Sequence, residues 1–198
     1  MKQIIIIHGW ECFNKEELYT YLQKTSCKPH EIKKSRRTGL QIRCKDTHEV
    51  IIPDMPNKYS ADYGARKIWF ERHFIYLNEE DTILIGRSLG ASFLLKRLSE
   101  NTFPKRITQL HLVATMLYSD EISGVGLGQF VADINKIASM QAQVEKIFLY
   151  HSKDDTVVPY RHSEKLAELA TKSALFTFQD REHFNQETFP ELLENINN

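Results

Sequence analysis

Short apolar runs alternate with longer amphipathic ones along this chain, and this alternation restricts its fold more than any other feature. Six apolar runs predict β-strands, at 3–7, 49–52, 82–85, 107–113, 146–150 and 174–178. Most are continuously apolar, as expected of strands that are covered on both faces. The segments between and after them predict helices at 14–24, 63–77, 89–99, 129–140, 160–171 and 187–196. Because crossovers between parallel strands are right-handed, this order predicts an α/β three-layer sandwich with a mostly parallel sheet.

The bulk composition limits the classes of partner and the compartment. A chain of 198 residues fits one domain spanning 1–198. Its 26 lysines and arginines equal its 26 aspartates and glutamates, so no overall field attracts nucleic acid or an anionic membrane. The longest aliphatic run, residues 4–7, is far shorter than the roughly 20 residues that span a bilayer. Three cysteines without a C-x-x-C pair indicate a reducing compartment, and we expect a cytoplasmic protein.

The third apolar run leads into a motif that suits a nucleophile. It continues as Gly86-Arg87-Ser88-Leu89-Gly90 and then into a helix-forming stretch. In a nucleophile elbow, the serine lies on a strained turn between a strand and a helix, which projects its hydroxyl above the sheet. Small residues two positions to either side let neighbouring backbone approach the turn. The pentapeptide alone also fits a tight structural turn, so the role of Ser88 depends on partners elsewhere in the chain.

Later loops provide those partners in the required order. A serine hydroxyl needs a base to take its proton and an acid to orient that base. Asp154 and Asp155 follow the fifth predicted strand, and Asp180 and His183 follow the sixth. The carboxyl ends of parallel strands share one edge of a sheet, so these groups should lie on the same edge as Ser88. The order serine, acid, histidine is that of an α/β-hydrolase, with His183 as the base and the acid still to be chosen.

Two stretches fit the alternation poorly. Residues 28–45 contain seven lysines and arginines and are predicted to be a basic surface insertion, with contact to an anionic partner or substrate tail as the alternative. Residues 116–140 include the alternate glycines Gly124, Gly126 and Gly128, which lack the spacing of a phosphate-binding loop. We interpret this second stretch as a candidate flap or lid beside the site.

Several chemically capable side chains favour structural roles. The other histidines show no metal-ligand spacing, so we expect no metal, and a serine nucleophile needs no cofactor. His8 could hydrogen-bond the elbow, although a structural histidine is the simpler interpretation. Cys12 lies near the predicted site without an apparent acid–base pair of its own.

The helix predicted at 63–77 has a mixed apolar surface. Ile68, Trp69, Arg72 and Ile75 recur there at helical spacing. Trp69 and residues 70–74 are predicted to form helix core rather than a cofactor site.

The chain resembles the small single-domain serine hydrolases typified by the retinoblastoma-binding serine hydrolase and its bacterial relatives. The similar segments extend over nearly the whole chain: 4–10 with His8-Gly9-Trp10, Pro53-Asp54-Met55-Pro56-Asn57, Trp69, 86–90, Asp154-Asp155 with Val158-Pro159, and His183-Phe184 with Phe189. The proline-aspartate-methionine-proline run is fairly specific to that family. The resemblance implies an α/β-hydrolase fold with a minimal cap, and activity like that of a weak carboxylesterase.

The resemblance also implies which carboxylate is the acid. The family motif places it four residues before a proline, and counting back from Pro159 leads to Asp155. The implied triad is Ser88, Asp155 and His183. Asp154 would then hydrogen-bond the loop backbone or face away.

Further site residues follow from the same resemblance. The oxyanion hole would consist of the backbone amides of Leu89 and Trp10. Gly9 and Arg87 are candidate substrate contacts. The chain departs from the family pattern at Arg87, where histidine is usual, and at Glu182, where glycine is usual, so the family's substrates transfer poorly.

Two hypotheses about function remain. The first is a serine hydrolase that cleaves an ester or related acyl bond of a small molecule through an acyl-enzyme intermediate, and thioesterases and peptidases use the same residues. The second is an α/β-hydrolase fold used mainly as a protein-binding module with weak or latent activity, its interface formed by Arg87, Glu182 and the basic segment. A covalent serine probe separates the two hypotheses.

Overall fold

A parallel sheet forms the centre of this protein. The structure is a computed structural model that describes residues 1–9, 12–13, 15–24, 44, 47–57, 59–60, 62–119, 127–186 and 188–198. Among these residues, six parallel strands form one sheet in the order β2-β1-β3-β4-β5-β6. The strands are β1 (Lys2–Ile7), β2 (His48–Ile51), β3 (Thr82–Arg87), β4 (Ile107–Val113), β5 (Val144–Ser152) and β6 (Ser173–Phe178). All six predicted strands are confirmed, with ends that differ by at most two residues.

An α-helix follows each of these strands in the described part of the chain. The helices are α1 (Lys15–Lys24), α2 (Tyr63–Arg72), α3 (Leu89–Glu100), α4 (Ile137–Ala142), α5 (Arg161–Leu169) and α6 (Pro190–Asn197). A 3-10 turn, His73–Tyr76, extends α2, and two more, Gly128–Phe130 and Ile134–Lys136, precede α4. Within these ranges, no helix combines the length and apolarity that a membrane crossing needs.

The sheet buries apolar side chains on both faces. Ile5 and Leu84 belong to a cluster that includes Phe93 of α3. Ile83, the neighbour of Leu84, points to the other face and joins a second cluster with Leu192 of α6. Because successive side chains of a strand alternate between faces, an apolar run fills both clusters at once. The predicted three-layer α/β arrangement is therefore confirmed.

The strand order places a crevice above the middle of the sheet. From β1 the chain crosses to the edge strand β2 and then returns to β3 on the other side of β1. Connections that leave β1 and β3 in opposite directions open a crevice at the carboxyl ends of these strands, which is where open α/β sheets bind ligands. His8 and Ser88 lie at this position, directly after β1 and β3.

The helix predicted at 129–140 is wrong in its first half. Val131 is extended, with φ −60° and ψ 118°, and α4 begins only at Ile137. The Asp133 side chain accepts a hydrogen bond from the Asn135 amide at 3.0 Å, which starts a separate 3-10 turn. Aspartate side chains compete for nearby backbone amides in this way, so the local sequence interrupts the helix that its apolar spacing suggested.

The helix predicted at 187–196 begins later than expected, at Pro190. Proline suits the first position of a helix because its missing N–H would have no partner there. It also disfavours helical backbone in the residue before it, and Phe189 has φ −136° and ψ 79°.

The prediction that Trp69 forms helix core is wrong. Trp69 is 40% exposed, and Ile68 and Ile75 are 64% and 80% exposed. The face of α2 that packs inward contains Phe70, which is fully buried. The ring of Phe70 contacts the ring of Phe93 edge to face. Both faces of this helix contain large apolar residues, so periodicity alone could not choose between them.

The two irregular stretches are described only in part. Of residues 28–45, the structure describes Cys44, which is buried in the second cluster, and the basic residues lie outside the described ranges. Residues 120–126 of the candidate flap also lie outside them. Met116 and Leu127, on either side of that gap, are buried in the first cluster.

Stability measurements can test whether the face of α2 that contains Phe70 packs in the core. Phe70→Ala should lower the free energy of unfolding by about 3–5 kcal/mol, because it removes a fully buried ring. Ile75→Ala is the matched control and should change it by at most about 0.5 kcal/mol, because the side chain is exposed. Urea denaturation measures both. Equal losses would show that the wrong face has been assigned to the core.

Candidate active site

Ser88 lies on a strained turn between β3 and α3. Its backbone has φ 53° and ψ −127°, a conformation that non-glycine residues rarely adopt. Its amide donates to the Val113 carbonyl at 2.8 Å, which links the turn to the end of β4. The side chain is partly exposed at the carboxyl edge of the sheet. The strand, the turn and the helix that follow one another here are those expected of a nucleophile elbow.

Three glycines let the surrounding backbone approach this turn. A Cβ on Gly86 would lie 2.6 Å from Ala91 Cα, and one on Gly90 would lie 2.6 Å from the His8 carbonyl oxygen. A Cβ on Gly9 would lie 2.7 Å from Ser88 Cβ. Each distance is shorter than real side chains allow, so glycine is needed at all three positions. Gly9 therefore has a packing role that the sequence analysis missed, and its contact with a substrate stays a prediction.

Ser88, His183 and Asp155 are joined by hydrogen bonds in series. His183 Nε2 lies 3.0 Å from Ser88 Oγ, and His183 Nδ1 lies 2.8 Å from Asp155 Oδ2. An ionised carboxylate can only accept, so the proton between them belongs to Nδ1. In the neutral imidazole, a proton on Nδ1 leaves Nε2 as an acceptor for the proton of the Ser88 hydroxyl. The structure thus brings together the three residues named from the sequence, although they come from three separate loops.

The Asp155 carboxylate is buried and fully engaged. Oδ1 accepts from the amides of Val157 and Val158 at 2.8 and 2.9 Å, and Oδ2 faces both His183 and His151. Burial by itself would raise the pKa of Asp155, but the hydrogen bonds from His151, His183 and the Val158 amide hold it well below its usual value. The carboxylate is therefore charged at neutral pH beside the imidazole that it contacts.

The loop that holds His183 is bent sharply on both sides of that residue. Glu182 and Phe184 have φ values of 47° and 52°. Glycine is the usual residue for such a backbone, so the loop needs external support. Asp154 gives part of that support, because its Oδ1 accepts from the Glu182 amide at 2.9 Å. The Ser152 hydroxyl, which donates to Asp154, also accepts from the Arg181 amide at 3.0 Å.

The two other candidate acids lie away from the imidazole. Asp154 hydrogen-bonds the backbone of the histidine loop, one of the two arrangements expected for it. Asp180 has a side chain that is 85% exposed and lies 3.8 Å from Arg181 Nε. Of the three aspartates, Asp155 is the one that contacts His183.

Arg87 connects the elbow to the histidine loop. Its Nη2 donates to the His183 carbonyl at 2.6 Å and to Asn185 Oδ1 at 2.8 Å. The residue before Ser88 therefore holds the backbone of the residue that hydrogen-bonds Ser88. The sequence analysis gave Arg87 only a candidate substrate contact and missed this one, because the elbow motif does not specify where the side chain before the serine points. Contact of Arg87 with a substrate stays a prediction.

The residues expected to form an oxyanion hole are described only in part. Leu89 is the first residue of α3, where a helix offers its own amide no acceptor and where the helix dipole favours negative charge. Trp10 lies outside the described residues. His8 accepts at Nε2 from the Met55 amide at 3.4 Å, which fits the structural interpretation of that histidine.

No metal site is apparent where the chain is described. Across those ranges, no three His, Cys, Asp or Glu side chains lie together as a metal site would need. Cys12 is half-buried and packs against the first cluster.

Comparisons with known proteins give structural neighbours. No protein-family model matches this sequence, and no curated protein matches it. The crystal structure of the ydeN gene product of B. subtilis is similar, with a TM-score of 0.75, 23% identity, and coverage of 100% of this chain and 97% of that one.

Two solved esterases are also similar. The esterase EaEST of Exiguobacterium antarcticum has a TM-score of 0.61 at 14% identity, with 99% of this chain and 91% of that chain covered. Est1E of Butyrivibrio proteoclasticus, solved with ferulic acid bound, has a TM-score of 0.63 at 13% identity, with 99% and 86% covered. These similarities confirm the predicted α/β-hydrolase fold.

The close approach at the elbow can be tested with matched glycine variants. Gly90→Ala should lower the free energy of unfolding by about 1–3 kcal/mol, because its Cβ would force the carbonyls of Ile7 and His8 away from the turn. Gly64→Ala is the control: it lies in the first turn of α2, and its Cβ would be 3.6 Å from the nearest atom, Asp62 Oδ1.

The control should range from no change to a gain of about 1 kcal/mol, since alanine is the better helix former. Urea denaturation of the two purified variants measures the difference. A Gly90→Ala protein as stable as the Gly64→Ala protein would contradict the close approach.

Proposed function

We propose that this chain, which has the α/β-hydrolase fold, is a serine hydrolase that cleaves an ester or related acyl bond. The observation that carries the proposal is the hydrogen-bonded series from Ser88 through His183 to Asp155, with distances of 3.0 and 2.8 Å. A serine on a strained strand-to-helix turn, a base at its oxygen and a buried carboxylate behind that base are the parts that nucleophilic acyl transfer requires.

Acylation begins with the Ser88 hydroxyl. His183 Nε2 takes its proton while Oγ attacks the acyl carbonyl carbon, and a tetrahedral intermediate forms with negative charge on the former carbonyl oxygen. The Leu89 amide, at the start of α3, is proposed as the first donor to that charge. The Trp10 amide is proposed as the second donor. The intermediate collapses when the leaving group takes the proton from His183 Nε2, which leaves the acyl group on Ser88.

Deacylation repeats these steps with water. His183 accepts a proton from a water molecule as the water oxygen attacks the acyl carbonyl carbon. The histidine returns the proton to Ser88 Oγ when the bond between Oγ and the acyl carbon breaks. Throughout, Asp155 keeps the second proton of the imidazole on Nδ1 and stabilises the positive charge that the ring acquires in the transition state. Every group in this cycle belongs to the chain, so the proposal includes no cofactor or metal.

The site supports the type of reaction more closely than it supports one class of substrate. Esterases, thioesterases and peptidases use the same arrangement of residues. The esterases among the structural neighbours favour an ester of a small molecule. Assays with ester, thioester and amide substrates that share one acyl group distinguish these alternatives.

The proposal also includes the cytoplasm as the location, from the cysteine content.

We expect a fluorophosphonate probe to label the protein once, at Ser88, because only an activated serine attacks phosphorus at a useful rate. Intact-mass spectrometry and peptide mapping give the stoichiometry and the position. Ser88→Ala should abolish labelling. Ser92→Ala is the control, since Ser92 lies one turn along α3 and its hydroxyl donates to the Met116 carbonyl at 2.7 Å. If folded wild-type protein stays unlabelled, the fold serves mainly as a protein-binding module.

The two adjacent aspartates, Asp154 and Asp155, should differ sharply in their contribution to the rate of labelling by the probe. Asp155→Asn should slow the labelling rate by on the order of 10⁴, because an amide facing Nδ1 favours the wrong tautomer of His183. Asp154→Asn should lose far less, because the asparagine Oδ1 can still accept from the Glu182 amide. Stopped-flow or timed quenching with the same probe measures both variants. A crippled Asp154→Asn beside an active Asp155→Asn would show that the acid is misassigned.

A further inference from the structure

A second histidine contacts the same carboxylate oxygen of the proposed acid as His183 does. His151 lies near the end of β5, four residues before Asp155, and its side chain is fully buried. Its Nε2 lies 3.5 Å from Asp155 Oδ2 and 2.8 Å from the Val158 carbonyl oxygen. Its Nδ1 lies 2.6 Å from Ser163 Oγ, on α5. The mechanism above does not use this residue.

The partners of the His151 ring determine which nitrogen holds a proton. A carbonyl oxygen can only accept, so Nε2 is the donor to Val158 and faces the carboxylate with the same proton. The Ser163 hydroxyl can donate to Nδ1, so both nitrogens have partners inside the core. The ring is also held by an edge-to-face contact with Tyr160, at 5.7 Å between centroids. His151 is thus fixed in one orientation by groups on three sides.

Through these contacts His151 closes the turn that holds the acid. The amide of Val158 donates to Asp155 Oδ1 at 2.9 Å, while the carbonyl of the same residue accepts from His151. Without the imidazole, the Val158 carbonyl would lose this donor. Among the described residues, Asp155 Oδ2 would then keep His183 as its one close partner. The hydrogen bond from His151 is also the largest of the contributions that lower the pKa of Asp155, after burial, which raises it.

We propose that His151 is a positioning residue of the active site: it holds the Asp155 carboxylate in the plane that aligns His183 with Ser88. Ser88, His183, Asp155, His151 and Ser163 then form one series of contacts, in which every link is a hydrogen bond except the 3.5 Å contact between His151 Nε2 and Asp155 Oδ2. This role rests on the proposed function, since alignment of His183 matters for catalysis only if Ser88 is the nucleophile. Its effect on the geometry of Asp155 does not depend on that function.

The test compares two substitutions of His151 with a matched control. His151→Phe keeps the approximate size and removes both polar atoms, and His151→Gln keeps an N–H donor for Val158 and Asp155. His111→Phe is the control, because His111 is also fully buried and hydrogen-bonded in a central strand, to Tyr150 and Gln109. The fluorophosphonate reaction is followed at several probe concentrations, which separates the maximal rate of labelling from probe affinity.

We expect His151→Phe to lower the maximal labelling rate by about 10–100-fold, the range seen when a partner that orients a functional group is lost, with probe affinity unchanged. His151→Gln should recover most of the rate. His111→Phe should lose stability in urea and label as wild type does. Ser163→Ala should lower the maximal labelling rate less than His151→Phe does. If His151→Phe does not fold, the loss of rate in Ser163→Ala still tests whether the orientation of His151 matters. A folded His151→Phe with the wild-type rate, or equal losses in all three histidine variants, would overturn the proposal.

Proton NMR gives a readout that does not depend on activity. The proton on His183 Nδ1, shared with Asp155, should give a low-field resonance in wild-type protein that His151→Phe broadens or shifts and His111→Phe leaves in place. If wild-type protein is not labelled by the probe, the serine-hydrolase function fails, and this resonance still tests whether His151 orients Asp155. An unchanged resonance in folded His151→Phe would overturn the positioning role alone.

Discussion

The close contact between the loop after β1 and the turn at Ser88 is the constraint on which the rest of the site depends. Gly90 lies against the carbonyls of Ile7 and His8, and Gly9 lies against the Arg87 carbonyl and Ser88. A left-handed backbone at a non-glycine residue costs about 1–3 kcal/mol and persists only where its surroundings enforce it. Here the enforcement comes from α3, ten of whose twelve residues are buried. The strain at Ser88 is thus sustained by the packing of α3 against the sheet.

Polar contacts between loops add to apolar packing in holding the carboxyl edge of the sheet together. Asp155 is buried with a charge, which is tolerable only because its two oxygens meet donors from the backbone and from two imidazoles. The loops after β5 and β6 are tied to each other through Asp154 and Glu182, and the second of them is tied to the elbow through Arg87 and His183. These contacts align the Ser88 hydroxyl, the imidazole and the carboxylate.

The fold was more predictable from the sequence than the orientation of its helices. Parallel strands that are buried on both faces are mostly apolar, so each strand is visible in the sequence as a largely apolar run. The helices gave a weaker signal. On α2 both Trp69 and Phe70 are large and apolar, and the packing of Phe93 against Phe70 decides which one is buried. Before α4, the Asp133 side chain competes for a backbone amide and breaks a segment whose spacing looked helical.

At the site, the sequence by itself determined which residues stand at the ends of the strands, because strand ends are marked by the change from apolar to polar residues. The sequence therefore indicates Ser88, the adjacent aspartates and His183 as site residues. The family resemblance chose Asp155 from the candidate aspartates, and the structure places its carboxylate 2.8 Å from His183. Only the tertiary structure decided that His151 also contacts Asp155 and that Arg87 holds the histidine loop. The physical reason is that these contacts depend on the conformation of each turn and on side chains that are distant in the sequence. No local sequence pattern encodes either of them.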